Sequence, residues 1–356
     1  MTERLPPLSE TPPAKLRWPA EWEPSECVWL TWPQNEETWQ PVRGRVEVAY
    51  ERALAALAPH VPVRLLVNDP ATRDAVATRL GGLRERHPGN IELLVCPTQD
   101  SWIRDYGGFT THTAEGGRLL LDWRFNSWGG KYPPWDADDA VPLRMAERCG
   151  IPCLSLDFVL EGGSVDTNGQ GLLLTTEQCL LNPNRNPTHT RDRIEETLHR
   201  WLGVHEFLWL EQGIAGDDTD GHIDDIARFV TPRVIVAAVE HSRSDENYEN
   251  LKRNLRRLEQ LAGRLDIEVV ELPMPQRLVI EGLRTPASYT NFLFANDALV
   301  LPIFDNPADE AAVRLFEKLL PHHRILPVDC RHLVFGQGAI HCSSMQTAAA
   351  PKGNPT

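Results

Sequence analysis

The sequence predicts an α/β protein in which a strand–strand–helix–strand unit recurs about every 60–70 residues, some five times, around a centre. Three observations predict it. Short β-branched or Leu-rich runs alternate with amphipathic helical stretches. The alternation runs on without a long low-complexity linker, and nothing marks an internal boundary. The 356 residues, 41% of them hydrophobic, suffice for a large core. A doubly wound α/β sheet would alternate in the same way and stays open at this level, because the units share negligible identity. A Pro-rich lead-in is expected over 1–17, one domain over 18–349 and a frayed tail over 350–356.

Each element follows from local pattern. VPVRLLV at 61–67 reads as a strand, 70–86 as a helix and IELLVC at 91–96 as a strand. RLLLDWRF at 118–125 is an expected strand, followed by a helix within 136–149. GLLLTTEQCLL at 171–181 reads as a strand, 189–202 as a helix and EFLWLE at 206–211 as a strand. The stretch 227–240 reads as two strands around a Pro turn. Over 247–265, Leu251, Leu255, Leu258, Ala262 and Leu265 share one helical face. EVVELP at 268–273 is a strand, and 289–304 is a strand pair joined at Asn296-Asp297. A helix at 307–320 and a strand at 324–328 complete the series.

Composition excludes several classes. A formal net charge of −14 argues against a general nucleic-acid binder, which needs a basic footprint. No apolar run reaches the roughly 18 residues of a membrane span, and the N-terminal stretch has no signal-peptide core, so a cytoplasmic location is expected. Seven Cys in a long chain without an export signal do not suggest a disulfide framework. Cys149 and Cys153 are close in sequence, but no second pair accompanies them to make a zinc site.

Four stretches carry candidate chemistry. GDDTDGHIDD, Gly216–Asp225, places five Asp around one His. An EF-hand register with Gly221 at loop position six puts Gly216 at position one and Ala227 at twelve, so both required ligands fail. A zinc site would want more imidazole. A solvated acidic loop is the plain alternative. Against it, His222 and Asp224 stand two apart before a strand and would face one side together, an acid/base beside an anchor for a positive group. SWIRDYGGF brings Trp102 and Asp105, VLEGGSVD brings Glu161 before two Gly, and FGQGAIHCSSMQ brings Cys342. An ion-paired turn, a plain turn and a buried Cys are the structural readings of these three. Together, a thiol, an imidazole and several carboxylates describe a Cys hydrolase site with more acid than amide hydrolysis needs. A guanidinium, whose planar fork pairs with two carboxylates, accounts for the surplus.

The combined motifs resemble the agmatine/peptidyl-arginine deiminase family of guanidine-modifying enzymes, agmatine deiminases above all. The resemblance spans nearly the whole chain: WPAEWEPSECVWLTWP at 18–33, WIRDYGG at 102–108, FNSWGGKYPPWDADD at 125–139, LEGGS at 160–164, LLNPNRNP at 180–187, DDTDGHIDD at 217–225, YTNFLFAN at 289–296 and GQGAIHC at 336–342. It implies a five-bladed α/β propeller of pseudo-symmetric ββαβ modules around a central pocket. By motif, Cys342 is the expected nucleophile and His222 the general acid/base, with Asp105 and Asp224 holding the guanidinium. Glu161 is expected to support the catalytic side through His222, Trp102 to pack over the substrate, and Asp218, beside Asp217 and Asp220, to hold a distal amine.

The implied reaction is hydrolysis of agmatine to N-carbamoylputrescine and ammonia through a Cys thiouronium, with water as co-substrate and neither metal nor organic cofactor. Peptidyl-arginine, free arginine or another alkylguanidine would suit the same chemistry. An amidinotransferase, which passes the amidino group to an amine, and a non-catalytic cation binder that keeps the pocket compete with the hydrolase. No nucleic-acid or membrane partner is expected, and homo-oligomerisation stays open. GQGAIHCSSMQ, RDYGG, EGGSVDTNGQG and DGHID each depart from the family's usual wording beside, not at, the expected catalytic residue. The departures leave the substrate's alkyl chain undetermined.

Overall fold

Five of the six sheets among the described residues repeat one plan. An antiparallel strand pair is followed by a helical crossover and a third strand parallel to the second. The computed structural model describes residue 12 and residues 14–351. One module joins Phe109–Thr113, Arg118–Arg124 and Cys153–Val159, with the helix Val141–Cys149 as crossover. The next joins Val165–Thr167, Leu172–Thr176 and Glu206–Leu210 across the helix Arg191–Leu202. Ala227–Thr231, Val234–Val239 and Glu268–Pro273 follow across Asn247–Ala262. Leu293–Ala295, Ala298–Ile303 and Arg324–Asp329 follow across Asp309–Leu319. The fifth module is assembled from both ends of the chain. Ser344–Ala348 pairs antiparallel with Ser25–Thr31, which runs parallel to Val63–Val67 across the helix Arg43–Leu57, and Ile91–Val95 extends the sheet. The arrangement is propeller-like, as expected.

Hydrophobic pattern explains the layering. The middle strands, such as VIVAAV and ALVLPI, are apolar nearly throughout and buried, as strands covered on both faces must be. The third strands Cys153–Val159, Glu268–Pro273 and Arg324–Asp329 are only partly buried, and the crossover helices turn one stripe inward. On Asn247–Ala262 that stripe is Leu251, Asn254, Leu258 and Ala262.

Several expectations change in detail. The strand expected over 171–181 stops at Thr176, whose side-chain oxygen accepts from the Cys179 N–H and starts the helical turn Glu177–Leu180. The helix expected over 70–86 is two, Pro70–Arg79 and Gly81–Arg86. Of the strand pair expected over 289–304, residues 289–292 are a loop. Most of the lead-in at 1–17 lies outside the described residues, but Leu16–Arg17 pairs with His112 and Thr113 as a short strand. Of the tail at 350–356, residues 352–356 lie outside them. Among the described residues no helix is long and apolar enough to cross a membrane.

What positions the site is the start of each module. The chain enters every first strand through a short turn, and the five turns meet. They are Ile103–Tyr106, Gly162–Ser164, Ile223–Asp225, the loop at 285–292 and the loop at 337–343.

Candidate active site

Asp105, Glu161, His222, Asp224 and Cys342 are all buried, and each comes from an entry turn. Gly163 marks where the turns converge. A Cβ built on it would stand 2.5 Å from His222 Nδ1, 2.9 Å from Asp105 Oδ1 and 3.2 Å from Asp224 Oδ2. Only a residue without a side chain lets these three groups approach one another. Cys342 Sγ lies 3.4 Å from Asp224 Oδ2, which brings the thiol to the same place. Gly338 allows a second close approach, since a Cβ there would lie 2.6 Å from the Trp102 ring and 2.7 Å from Cys342 Cβ.

The fourth turn supplies Asn291, which holds the Cys342 loop. Its Oδ1 accepts from the backbone N–H of His341 at 3.0 Å and of Cys342 at 3.3 Å. Its Nδ2 faces Cys342 Sγ and Asp225 Oδ1, each at 3.0 Å, and Asp224 Oδ2 at 3.3 Å. Asp105 is held by two neutral donors, the Trp128 indole N–H and the Gly163 N–H, each at 2.9 Å. Asp224 accepts from His341 Nδ1 at 2.6 Å. His341 Nε2 lies 2.8 Å from Glu21, and Glu21 faces Arg228 at 3.1 Å and Arg104 at 3.3 Å.

Charge separates the groups. Burial pushes the Asp105 carboxyl up to about 6, with Asp224 and Glu161 adding to the rise and His222 and Trp128 opposing it. Burial acts on Asp224 as well, yet the hydrogen bond and charge of His341 outweigh it and hold Asp224 below its ordinary value. His222 stands well above its ordinary value: burial pulls it down, and the negative field led by Asp105 overcomes this. Burial raises Cys342 well above the ordinary thiol range, and Asp224, Asp225 and Asp105 raise it further. Both shifts favour the protonated forms of Cys342 and His222 in the substrate-free protein. Neither ring nitrogen of His222 nor Asp224 Oδ1 has a hydrogen-bond partner among the described residues, although His222 Nδ1 stands 3.7 Å from Asp105 Oδ1. Buried polar atoms of this kind are costly unless something else binds them.

The acidic stretch divides its labour. Asp217 folds the loop, accepting from the N–H of Thr219, Gly221 and His222. Asp220 pairs with Arg185 at 2.6 Å and Lys131 at 3.0 Å. Asp218 meets Lys131 Nζ at 3.5 Å and the Tyr132 hydroxyl. Asp224 and Asp225 face the site. The stretch is thus a pocket wall only in its second half; internal cations already occupy the first.

Glu161 does not hydrogen-bond His222. Its Oε1 pairs with Arg185 at 2.6 Å, both side chains fully buried, and it stands with Cys179 and His222 in a group whose ligand atoms lie within 4.8 Å of one another. Trp102 is packed against Trp39, ring centroids 5.5 Å apart, beneath the glycine loop that leads to Cys342. The aromatic residue that touches an expected clamp carboxylate is Trp128. Sequence reasoning assigned no role to Trp128, Asn291, His341, Glu21 or Arg185. All five sit inside runs that carried the resemblance, which was the available signal.

A model of the Porphyromonas-type peptidyl-arginine deiminase family matches residues 17–348. The agmatine deiminase of Pseudomonas aeruginosa strain LESB58 is 34% identical over 363 residues, covering 95% of this chain and 96% of the relative. A cysteine-to-serine variant of C. jejuni agmatine deiminase, solved with substrate bound, superposes with a TM-score of 0.86 at 31% identity, covering 95% of this chain and 97% of that one. The agmatine deiminase of Enterococcus faecalis superposes with a TM-score of 0.85 at 30% identity, covering 94% and 96%.

Proposed function

The chain belongs to the Porphyromonas-type peptidyl-arginine deiminase family, and we propose that within it the protein hydrolyses agmatine to N-carbamoylputrescine and ammonia through a thiouronium on Cys342. It is a hydrolase acting on the C–N bond of an amidine, and its reaction class is guanidine deimination. The observation that carries the finer reading is the convergence of Cys342, His222, Asp105 and Asp224 on Gly163, with buried polar atoms of His222 and Asp224 unpartnered among the described residues.

A guanidinium between Asp105 and Asp224 satisfies both carboxylates and brings one positive charge beside the thiol. That charge lowers the cost of ionising Cys342, which Asp224, Asp225 and Asp105 raise in its absence. Cys342 gives its proton to solvent as the guanidinium binds, and the thiolate attacks the guanidinium carbon, forming a C–S bond while the C=N π pair moves onto nitrogen. His222 gives its proton to the departing nitrogen, and ammonia leaves. His222, now neutral, takes a proton from water; the resulting hydroxide adds to the thiouronium carbon, and the C–S bond breaks to release the ureido product. Asn291 keeps the Cys342 loop in place, and Glu161 with Arg185 fixes the turn behind His222.

One observation favours a second reading. Lys131 lies against Asp218 and Asp220, where a distal amine was expected. Arginine inside a peptide carries no free amine at that end, and free arginine carries a carboxylate beside its amine, so neither presents a lone ammonium to compete with Lys131.

Purified protein with agmatine should release ammonia and give a product about one mass unit heavier, as oxygen replaces an imino group. Cys342→Ser should bind agmatine and turn over none. Turnover of peptidyl- or free arginine but not agmatine selects the second reading. No product from any guanidine overturns the catalytic assignment.

A further inference from the structure

Outside the active site the molecule carries a second group of reactive side chains, where Ser25–Thr31 meets the end of the helix Val141–Cys149. Cys27 is fully buried on that strand, directly across from Thr347. Cys149 is half-buried at the last position of the helix. The sulfurs of Cys27 and Cys149 and a carboxylate oxygen of Glu26 lie within 4.8 Å of one another. Arg64 Nη1 donates to Cys149 Sγ at 2.6 Å, and Thr347 Oγ1 lies 3.8 Å from the same sulfur. Arg64 is itself fixed, over the Trp29 ring at 5.1 Å and against Glu26 at 3.3 Å.

Three features make this more than two neighbouring thiols. A guanidinium directed at one sulfur favours its ionised form. The two thiols are inequivalent: the Cys27 hydrogen bond and then the Arg64 charge pull Cys149 below the ordinary thiol range, while Cys27 is pushed up. The ionisable sulfur is the more exposed one, and the buried sulfur is the protonated one. A reactive thiol with a resolving thiol behind it has this layout. The same Arg64 argues against a metal in this group, because a fixed cation on the sulfur repels a second cation and three ligands fall short of a closed zinc site.

We propose that Cys149 is a hydroperoxide-reactive thiolate and that Cys27 resolves it, so that the pair forms a reversible disulfide between the strand Ser25–Thr31 and the helix Val141–Cys149. The Cys149 thiolate attacks one peroxide oxygen and the O–O bond breaks. The expelled oxygen takes a proton and leaves as water or an alcohol, and Cys149 becomes a sulfenic acid. Cys27 gives up its proton and attacks the Cys149 sulfur; the S–S bond forms, the S–O bond breaks and water leaves. A dithiol reductant supplies the two electrons that restore both thiols.

The test uses the whole reduced protein and hydrogen peroxide, with remaining thiols alkylated before digestion and mass spectrometry. The expected result is a peptide pair joined through Cys27 and Cys149, lighter by two hydrogens than its separate members and released by dithiothreitol. Cys149 should lose its free thiol about tenfold faster than Cys342, whose sulfur rests protonated. Cys27→Ser should stop at a sulfenic acid on Cys149 that dimedone captures, and Cys149→Ser should leave Cys27 reduced. The proposal is overturned if Cys149 stays alkylatable at peroxide doses that oxidise Cys342. It is overturned equally if the untreated protein holds stoichiometric zinc that Cys149→Ser loses. The wild-type measurement needs no variant to fold.

Discussion

Asp105 and Asp224 are the same residue, both buried, both directed at Gly163, yet they differ in charge behaviour. Asp105 faces two neutral N–H donors and two further carboxylates, and its carboxyl is raised to about 6. Asp224 faces His341, which leans on Glu21, which leans on Arg228 and Arg104, and its carboxyl is lowered. The difference lies one layer behind the pocket. Asp224 is favoured as an anion by buried partners behind it, whereas Asp105 gives up its charge once the pH falls through about 6. Under the proposed mechanism, one arm of the clamp keeps its charge into acid and the other loses it near pH 6.

The largest effect should come from the arm that keeps its charge. Asp224→Asn removes the charge that faces both substrate and His341, and leaves His341 and Glu21 without their balance. Breaking one side of a buried pair costs roughly 4 kcal/mol, about 10³-fold in kcat/KM. Asp105→Asn should cost less, about 10²-fold, because the two donors that hold it are neutral N–H groups. Steady-state kinetics near pH 8 decide it. A greater loss at Asp105 than at Asp224 would break the comparison.

Next in size is the pH dependence. Asp105 binds a guanidinium as a carboxylate, so kcat/KM should fall as pH drops through about 6, where this carboxyl takes up a proton. Trp128 favours the ionised form through its N–H, so Trp128→Phe should move this acid limb to higher pH and cost about 1 kcal/mol, near 5-fold, on the plateau. Asp224→Asn removes a like charge and should move the limb down. Asp105→Asn should abolish it; a limb that survives in that variant belongs to another group.

The same two arms show what could be read from sequence. Asp105 and Asp224 were legible because each stands in a short run whose residue types announce chemistry, as do His222, Glu161 and Cys342. The charge asymmetry was not, because it is made by pairs far apart in the chain. Glu21 meets His341 across the closure of the fifth module, Trp128 reaches Asp105 across a strand pair, and Asn291 reaches Cys342 from a neighbouring module. The fold divides in the same way. Middle strands such as VIVAAV declared themselves by composition. The edge strand Ser344–Ala348, polar and short, exists because Ser25–Thr31 lies beside it, and no local pattern shows that. The helix Arg43–Leu57 is absent from the expected series although its stripe of Val46, Ala49, Tyr50, Ala53 and Leu57 is present in the sequence. Glu177–Leu180 follows directly on the strand before it, and only the Thr176 cap separates the two.

The smallest effect sharpens the comparison at the outer end of the site. Asp218 and Asp220, unlike Asp105, already face a lysine, Lys131, from a loop three residues past Trp128. Lys131 is partly exposed, so its pairing with them is screened and worth up to about 1 kcal/mol. Lys131→Met should therefore lower the KM for agmatine a few-fold, roughly 2–5, with kcat unchanged, because the substrate's ammonium no longer displaces a resident one. For arginine the same change should leave KM level or raise it, since a carboxylate near Lys131 would lose its partner. Equal rises in KM for both substrates would show that Lys131 supports the loop by packing alone. A fall for agmatine together with a rise for arginine would make Lys131 the residue that sets which end group the pocket accepts, leaving the inner carboxylates to the guanidinium.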